Sequence, residues 1–436
     1  MVAARGHSLR PMSSKTAVIA KLALRNLRRQ ARRSLLTAAS MIAGGALLIF
    51  SLILGDGTHE QWIDSAVRMA DGHLAVQSVG FQDSRALKDR IPSESRGLVE
   101  QALRQGGFPA NINDMVPRLA VTGMASSAAG ARPARILGVD PVVEAAFSVL
   151  DEKVRQGRYL QSGDRLAAFV GIGLLEALDL RLGSKFVLTA QDAGGEIAGQ
   201  LVRVVGTFRT GIPEVDRSLL HIPLSTAGAW LGCSGDVTSI GLLLGNSEQV
   251  PQTRSSLRQR LSQHPGSEEL QVLSWREALP ELDAAVKIDD FSNYLFQGIL
   301  FGIIALGIVN TVLMSVMYRR REFGVLQALG LTPGQSASLV LVEGLFLTVL
   351  SGTIGIALGL SVTWFLWGEG LDLSSMMDNE WTFSGVVMEP VVVPRFRVAR
   401  MVQGLSFIFL IGMLASLYPA LRALRIDVAE TMKFER

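Results

Sequence analysis

The sequence predicts a membrane α-helical protein with four transmembrane helices and a large α+β domain inserted between the first and second. Only 19% of its 436 residues are charged, and the mean hydropathy is +0.32, values that indicate extensive contact with lipid. Four apolar stretches reach the roughly 20 residues that cross a bilayer as a helix. Between the first two stretches, strand and helix patterns alternate over a segment long enough to form its own core.

The predicted spans follow directly from the apolar stretches. They are residues 34–56, 291–318, 337–367 and 401–421. The third exceeds a minimal span, so we expect it to tilt or to project beyond the bilayer. The first begins after some thirty residues and is longer than the core of a signal peptide (roughly 7–15 residues), which favours an uncleaved anchor.

Lysine and arginine predict the orientation, because they are enriched at cytoplasmic helix ends. Arg319–Arg321 follow the second span, and Arg422 and Arg425 follow the fourth. No acidic residue occurs before Asp56. The basic residues that precede the first span include Lys15, Lys21, Arg25, Arg28, Arg29, Arg32 and Arg33.

The predicted topology therefore has both termini in the cytoplasm, at residues 1–33 and 422–436, together with a loop at 319–336. The domain at 57–290 and the loop at 368–400 are predicted to be exported, which for a bacterium places the chain in the inner membrane with a periplasmic α+β domain. Arg395, Arg397 and Arg400 oppose the charge rule locally.

Residues 15–33 are predicted to form an amphipathic interfacial helix, with basic side chains on one face. An ordinary basic flank of a membrane span is an equally good interpretation. The net charge of +3 reflects the cytoplasmic arginines, so it points to lipid headgroups as partners and not to nucleic acid.

Within the exported domain, short β-prone runs alternate with helical patterns, which predicts the α+β class. The sequence Asp192-Ala193-Gly194-Gly195 is typical of a hairpin tip. We expect the last helix, Trp275–Asp290, to run into the second span as a stalk. The predicted strands are His73–Val79, Met115–Met124, Arg135–Val139, Lys185–Ala190, Leu201–Phe208 and Ser239–Leu244. The other predicted helices are Glu94–Arg104, Gly171–Leu180 and Ser247–Gln263.

Catalytic machinery is not evident in the sequence. No lysine follows a glycine, so the phosphate-binding GxxxxGK[ST] loop is absent. The five histidines are scattered, and Cys233 is the one cysteine, so neither a zinc motif nor an intramolecular disulfide is predicted. We therefore predict a non-catalytic chain without cofactor or metal, whose energy comes from a partner.

The loop at 319–336 is predicted to contact that partner through a short helix. Glu322 shares a helical face with Val325, Leu326 and Leu329, and Phe323 lies beside them. A carboxylate within an apolar face requires a basic partner. A helix lying on lipid headgroups is the alternative, although such helices usually carry basic residues near the lipid.

The flanking residues predict an ordered loop. Gly330 closes the helix, and Thr332-Pro333-Gly334-Gln335 is typical of a capping box that opens the next one.

Small residues predict helix packing within the spans. Gly298 and Gly302 form one GxxxG spacing, and Gly355 and Gly359 form another; close helix approach is a better explanation of both than gating. Glu343 lies near the start of the third span, where a carboxylate is expected to have a partner.

Three segments give the chain a resemblance to the MacB/FtsX/LolCE-type permeases of ABC transporters. They are RNLRRQARRSLLT before the first span, RRREFGVLQALGLTPGQ after the second, and YPALRALRIDVAETMKFE at the C-terminus. The resemblance implies a dimer of permeases, identical or paralogous, with two ATPase subunits that hold ATP and Mg²⁺. It also implies that Arg320–Gly330 is the coupling helix on the ATPase. Its contact residues are then Arg320, Arg321, Glu322, Phe323, Val325, Leu326, Leu329 and Gly330.

Within that family, the chain is most similar to the lipoprotein-release permeases. DGTHEQWIDSAVRMADGHLAVQS, ILGVDPVVEAAFSVLDEKVRQGRYL and VVGTFRTGIPEVDRSLLHIPLSTA resemble segments of their exported domains. The resemblance implies extraction of lipoproteins from the membrane and their transfer to a periplasmic chaperone, which in one of two paralogues docks on a hairpin matching Ala190–Arg203. No chaperone-docking hook sequence is evident there.

Acyl chains are then expected to enter an apolar cavity between the first and second spans of two protomers. Candidate lining residues are Ile42, Leu48, Phe50, Ile299 and Ile303. Efflux of amphiphilic small molecules and mechanotransmission without transport remain alternatives, as does a non-transport membrane scaffold.

Overall fold

The computed structural model describes residues 31–105, 115–148, 150–245, 247–264, 266–368, 370–372, 382–383, 386–387 and 391–425. The chain divides into two compact units. The helical unit comprises the described parts of Met1–Thr58, Asp289–Asp372 and Val391–Arg436, and the sheet unit comprises those of His59–Ile288 and Leu373–Pro390.

In chain order, the helices are α1 (Ala31–Met69), α2 (Phe81–Ser84), α3 (Ser93–Gln105), α4 (Pro141–Ser148), α5 (Ile172–Ala177), α6 (Pro213–Asp216), α7 (Leu224–Trp230), α8 (Val250–Leu261), α9 (Trp275–Ala278), α10 (Pro280–Tyr318), α11 (Arg320–Ala328), α12 (Pro333–Trp367) and α13 (Val398–Leu424). The strands are β1 (Leu74–Ser78), β2 (Met115–Ser127), β3 (Gly130–Val139), β4 (Val154–Gly157), β5 (Ala167–Gly171), β6 (Lys185–Gln191), β7 (Ile197–Phe208), β8 (Leu219–Pro223), β9 (Ser239–Leu242), β10 (Leu270–Ser274), β11 (Leu371–Asp372), β12 (Thr382–Phe383), β13 (Val386–Val387) and β14 (Val391–Val392).

Four helices, α1, α10, α12 and α13, are long and apolar enough to cross a membrane. Each predicted span lies within one of them, so the prediction of four transmembrane helices is confirmed. Helix α1 continues past residue 56, and α10 begins before residue 291. The predicted interfacial helix at 15–33 lies almost entirely outside the described residues, as does most of the tail at 422–436.

Glycines bring α12 against α1 and α13. A Cβ on Gly355 would lie 2.8 Å from the carbonyl oxygen of Ile42, and one on Gly359 would lie 2.8 Å from that of Ala46. Only hydrogen fits there, which confirms this GxxxG pair as a packing surface. Gly298 and Gly302 differ, since a Cβ on either would meet no described atom within 4 Å. Their predicted role in packing does not hold within this chain.

The sheet unit is built on one ten-stranded mixed sheet. Its strand order is β10-β1-β9-β2-β3-β8-β5-β7-β4, and β6 pairs with both β2 and β7. The β3–β8 and β5–β7 pairs are parallel, while the remaining pairs are antiparallel. Helices α3 and α8 cover part of the sheet with apolar side chains such as Val99 and Leu257. The α+β class is confirmed.

All six predicted strands are present, and the hairpin tip at 192–195 joins β6 to β7, where Gln191 pairs with Ile197. Asp192 stabilises this tip, since its Oδ1 accepts hydrogen bonds from the backbone of Gly194 and Glu196. Four strands of this sheet, β4, β5, β8 and β10, were not predicted. Both β5 and β8 are buried at every position, so they lack the alternation that indicates a strand with one exposed face.

The predicted stalk is interrupted. Helix α9 ends at Ala278, and α10 starts at Pro280. Leu279 between them has φ −128° and ψ 70°, because the ring of a following proline disfavours helical geometry in the residue before it. The continuous helix therefore begins at Pro280 and not at Trp275.

Candidate functional site

The loop between α10 and α12 contains a nine-residue helix that is capped at its C-terminus by the backbone. Gly330 adopts φ +102°, a conformation that glycine reaches without strain. Its N–H donates to the Gln327 carbonyl at 3.0 Å, and the Leu331 N–H donates to the Leu326 carbonyl at 3.0 Å. These two bonds form a Schellman motif, which satisfies carbonyls at the end of α11.

The start of α12 follows at once. Gln335 N–H donates to Thr332 Oγ1 at 3.3 Å, and Thr332 N–H donates to Gln335 Oε1 at 3.0 Å. Both bonds of the predicted capping box are therefore present, with Pro333 in the first turn. Hydrogen bonds therefore fix both the end of α11 and the start of α12, so the turn between the two helices is ordered.

The outward side of α11 is apolar at two positions one helical turn apart. Val325 is 47% exposed and Leu329 79% exposed. Arg321, Glu322 and Gly330 are also exposed, whereas Arg320 and Leu326 are half-buried. Seven of the eight predicted contact residues, on α11 or directly after it, thus have at least part of their surface exposed.

Phe323 is a correction to the prediction. Its side chain is fully buried at 0% exposure in a cluster that includes Val316 and Leu339. A helical wheel places Phe323 beside the exposed face, but the packing of α11 against α10 and α12 turns it inward. It therefore anchors the helix and cannot offer its ring to a partner in this conformation.

Arg319 links the three helices of the site. Its Nη1 donates to Glu343 Oε2 on α12 at 2.8 Å, and its Nε donates to Glu322 Oε2 on α11 at 2.9 Å. The guanidinium also lies 5.1 Å from the centroid of the Phe323 ring, within the distance of a cation–π contact. Only 5% of the Arg319 side chain is exposed.

This arrangement supplies within the chain the basic partner that Glu322 was expected to find on another protein. It also supplies the partner expected for Glu343, which is 15% exposed at the side chain. In the sequence, Arg319 indicates only the topology, and its role as a link was not predicted. The unexplained carboxylate at Glu343 was the available signal, but its partner lies 24 positions away.

The five candidate cavity residues do not share one environment. Ile299 and Ile303 are exposed at 55% and 62%. Ile42 and Phe50 are half-buried, and the Phe50 ring lies 5.1 Å from that of Trp367. Leu48 is fully buried in a cluster with Ile408 of α13, so its assignment to an open cavity is wrong.

The sheet unit contains a buried ionic network. Arg118, 1% exposed, donates to both oxygens of Glu144 at 2.6 and 2.9 Å and to Asp71 at 3.3 Å. Burial opposes the charged form of Arg118, but the two carboxylates outweigh it and raise its pKa above the usual value. Asp71 and Glu144 each approach the guanidinium from a different part of the chain, so the network ties the end of α1 to β2 and α4.

His221 lies near this network on β8. Burial lowers its pKa to about 4, so the ring is neutral at physiological pH. Its Nδ1 lies 3.4 Å from the hydroxyl of Tyr159, and burial likewise raises the pKa of that tyrosine. Among the described residues, His, Cys, Asp and Glu side chains form no group of three that could hold a metal ion.

Comparison with known proteins gives two family matches. Residues 34–260 match the family described as MacB-like periplasmic core domain, and residues 294–428 match the family described as FtsX-like permease C-terminal. The first match alone covers more than half of the chain, and the second contains α11 and the Arg319 link.

Individual relatives are distant but extensive. The lipoprotein-releasing system transmembrane protein LolC of Neisseria meningitidis is 24% identical over 364 residues, which is 80% of this chain and 83% of that protein. The uncharacterized ABC transporter permease YknZ of Bacillus subtilis is 22% identical over 95% of this chain and 98% of that protein. The macrolide export ATP-binding/permease protein MacB of Brucella melitensis is 24% identical over 78% of this chain, which spans only 52% of that relative.

Proposed function

Because this chain belongs to the ABC transporter permeases that join a MacB-like periplasmic core domain to an FtsX-like permease region, we propose that it releases lipoproteins from the bacterial inner membrane. In this proposal a separate ATPase, present in two copies and carrying ATP and Mg²⁺, docks on α11. Two permease chains, identical or paralogous, form the membrane part. The N- and C-termini lie in the cytoplasm.

The exposed face of α11 supports docking of the ATPase there. Val325 and Leu329 present an apolar ridge, with Arg321 and Glu322 beside it. Buried apolar anchors surrounded by polar groups carry most of the energy of protein–protein contacts. Phe323 and Arg319 attach this helix to α12. A partner that binds the ridge and moves α11 would therefore also move α12.

Similarity to LolC supports lipoprotein release. It covers 80% of this chain and 83% of that relative. The exposed isoleucines of α10, Ile299 and Ile303, are suited to contact acyl chains between two protomers. The chemistry required of this chain is then mechanical, since it must desorb lipid chains without breaking a bond.

Docking of the ATPase is tested by co-purification. Leu329→Asp should reduce the recovery of the ATPase with this chain at least tenfold, because a charge would replace the most exposed apolar side chain of the ridge. Val142→Asp is the matched control, since Val142 is also an exposed aliphatic residue at 65% but lies in the sheet unit. Equal recovery with both variants would exclude the ridge as the docking surface.

Release is tested with the permease–ATPase complex in proteoliposomes. ATP should transfer a triacylated lipoprotein from the vesicles to a soluble lipoprotein chaperone, and Leu329→Asp should abolish the transfer. The exposed β6–β7 hairpin, where Ile197 is 81% exposed, is the first place to look for chaperone contact. ATP turnover stimulated by macrolides but not by lipoprotein would favour efflux, and a complex that moves neither would favour mechanotransmission.

A further inference from the structure

A small cavity lies within the helical unit between α1, α10 and α13. Its volume is about 200 Å³. Tyr294, Gln297, Gly298 and Phe301 line it from α10, and Arg400, Gln403, Gly404 and Phe407 line it from α13. None of the five residues predicted to line a substrate cavity is among its walls, so it is separate from the site proposed for lipoproteins.

The two main walls repeat one sequence pattern. On α10 it is Tyr294 followed by Gln, Gly and Phe at three, four and seven positions, and on α13 it is Arg400 followed by the same residues at the same spacings. Positions separated by three, four and seven residues share one helical face. The Phe301 and Phe407 rings lie at a centroid distance of 5.7 Å, so the last residues of the two patterns are side by side.

This alignment arranges the cavity by polarity along its length. Seven residues of helix rise about 10 Å, so the backbone positions of Tyr294 and Arg400 lie about that far along their helices from those of the phenylalanine pair. The two glutamines come next to the polar end. The two glycines follow. A Cβ on Gly298 would meet no described atom within 4 Å, so the space beside it is open, whereas Leu52 and Ile49 of α1 lie against Gly404. A ligand in this cavity would therefore need a polar head and an apolar chain.

Charge indicates the nature of that head. Among the described residues that line the cavity, Arg400 is the one that carries a charge. It lies in the first turn of α13, where no acidic residue occurs and where the helix dipole favours an anion. Its Nε is 3.5 Å from Asp56 Oδ1, which is longer than a tight charge-assisted hydrogen bond of about 2.8 Å. Because the guanidinium has five N–H donors, it can also bind a phosphate.

From these observations we infer that the cavity binds an anionic phospholipid, with its phosphate on Arg400 and the upper part of one acyl chain beside Gly298. The cavity has room for about seven waters at roughly 30 Å³ each. It can therefore hold the phosphate region of a lipid and part of one acyl chain, but not a whole lipid. Binding of an anion here also gives a role to Arg400, one of the arginines that oppose the charge rule for the predicted topology.

The test counts the lipids that stay bound to the full-length chain. The chain is purified in mild detergent, incubated with equal amounts of phosphatidylglycerol and phosphatidylethanolamine, and analysed by native mass spectrometry. Wild type should retain one phosphatidylglycerol per chain in preference to phosphatidylethanolamine. Arg400→Gln should reduce that retention about tenfold, in line with the loss of a hydrogen bond to a charged group, and Arg400→Lys should restore part of it. Arg395→Gln, which changes a nearby arginine outside the cavity, should retain the lipid.

A steric variant tests the location independently of charge. Gly298→Leu should fill the cavity and abolish retention of phosphatidylglycerol, because a Cβ at Gly298 meets no described atom within 4 Å and is accommodated without displacement. Gly302→Leu is the matched control, since that glycine is equally open but does not line the cavity. Equal retention of the two lipids by wild type, undiminished retention by Arg400→Gln, or undiminished retention by Gly298→Leu would each overturn the proposal.

Discussion

The link made by Arg319 leads to an asymmetric prediction for its two carboxylate partners. Glu343→Gln removes the charge from a partner that is 15% exposed, whereas Glu322→Gln removes it from one that is 48% exposed. Loss of one member of a buried ion pair costs about 3–5 kcal/mol, because the remaining charge is left uncompensated. An exposed pair contributes only about 0.2–1 kcal/mol.

We therefore expect Glu343→Gln to lower the free energy of unfolding by about 3 kcal/mol, at the low end of the buried range. Glu322 still accepts a hydrogen bond from Arg319 in that variant, and the guanidinium remains near the Phe323 ring. Glu322→Gln should cost less than about 1 kcal/mol. The double variant Arg319→Met/Glu343→Leu should recover most of the loss, since replacing both members of a buried pair by apolar groups is often neutral.

The assay is thermal unfolding of the full-length chain in lipid nanodiscs. At roughly 2 °C per kcal/mol for a large chain, the midpoint should fall by about 6 °C for Glu343→Gln and by less than about 2 °C for Glu322→Gln. Equal shifts for the two single variants would refute the assignment of Glu343 as the main partner. A double variant as unstable as Glu343→Gln alone would show that the cost does not arise from an unpaired arginine.

Three further predictions concern other parts of the chain. Glu144→Gln should destabilise the sheet unit by about 3 kcal/mol, because Asp71 is then the one carboxylate left beside buried Arg118. Asp164→Asn should cost less than about 1 kcal/mol, because its partner Arg158 is 43% exposed and the charge left behind stays in water. Hydrogen exchange of the sheet strands would compare the two variants. The free energy of unfolding should fall as the pH drops from 6.5 towards 4, because His221 binds a proton in the unfolded chain but not when it is buried in the folded one. Urea unfolding across this range should show this dependence on pH, and His221→Gln should reduce it. Gly359→Val should disrupt the contact of α12 with Ala46 on α1 at a cost of about 1–3 kcal/mol, whereas Gly302→Val should be tolerated, as judged by the yield of monodisperse protein in size-exclusion chromatography.

Features fixed by neighbouring residues could be predicted from the sequence. The capping box at Thr332 and Gln335 and the closure of α11 at Gly330 depend on backbone geometry within a few positions, and both are present. The hairpin tip at 192–195 is of the same kind. The four membrane helices were also predictable, because hydrophobicity over about 20 residues is sufficient to identify a span.

Features fixed by tertiary packing could not be predicted in the same way. Leu48 and Ile299 are both apolar residues of spans, yet one is buried and the other 55% exposed. Lipid and protein interior are equally apolar, so hydropathy does not distinguish the two environments. Phe323 was misplaced for a related reason, since a helical wheel shows which residues share a face but not which face meets the neighbouring helices.

The structure also indicates how α11 must respond to a force. A nine-residue helix is too short to be stable by itself, because isolated helices below about 12 residues are marginal in water. Helix α11 is therefore held by its C-terminal cap, by Phe323 and by Arg319, and the last two of these attachments lead to α12. In turn α12 packs tightly on α13, where Gly344 meets Ser416 and Gly412 meets Thr348. A partner that displaces α11 must consequently move α12 and α13 with it. Helix α10 is tied to α12 by the ionic link of Arg319 and by apolar side chains such as Val316 and Leu339, so the displacement reaches α10 as well.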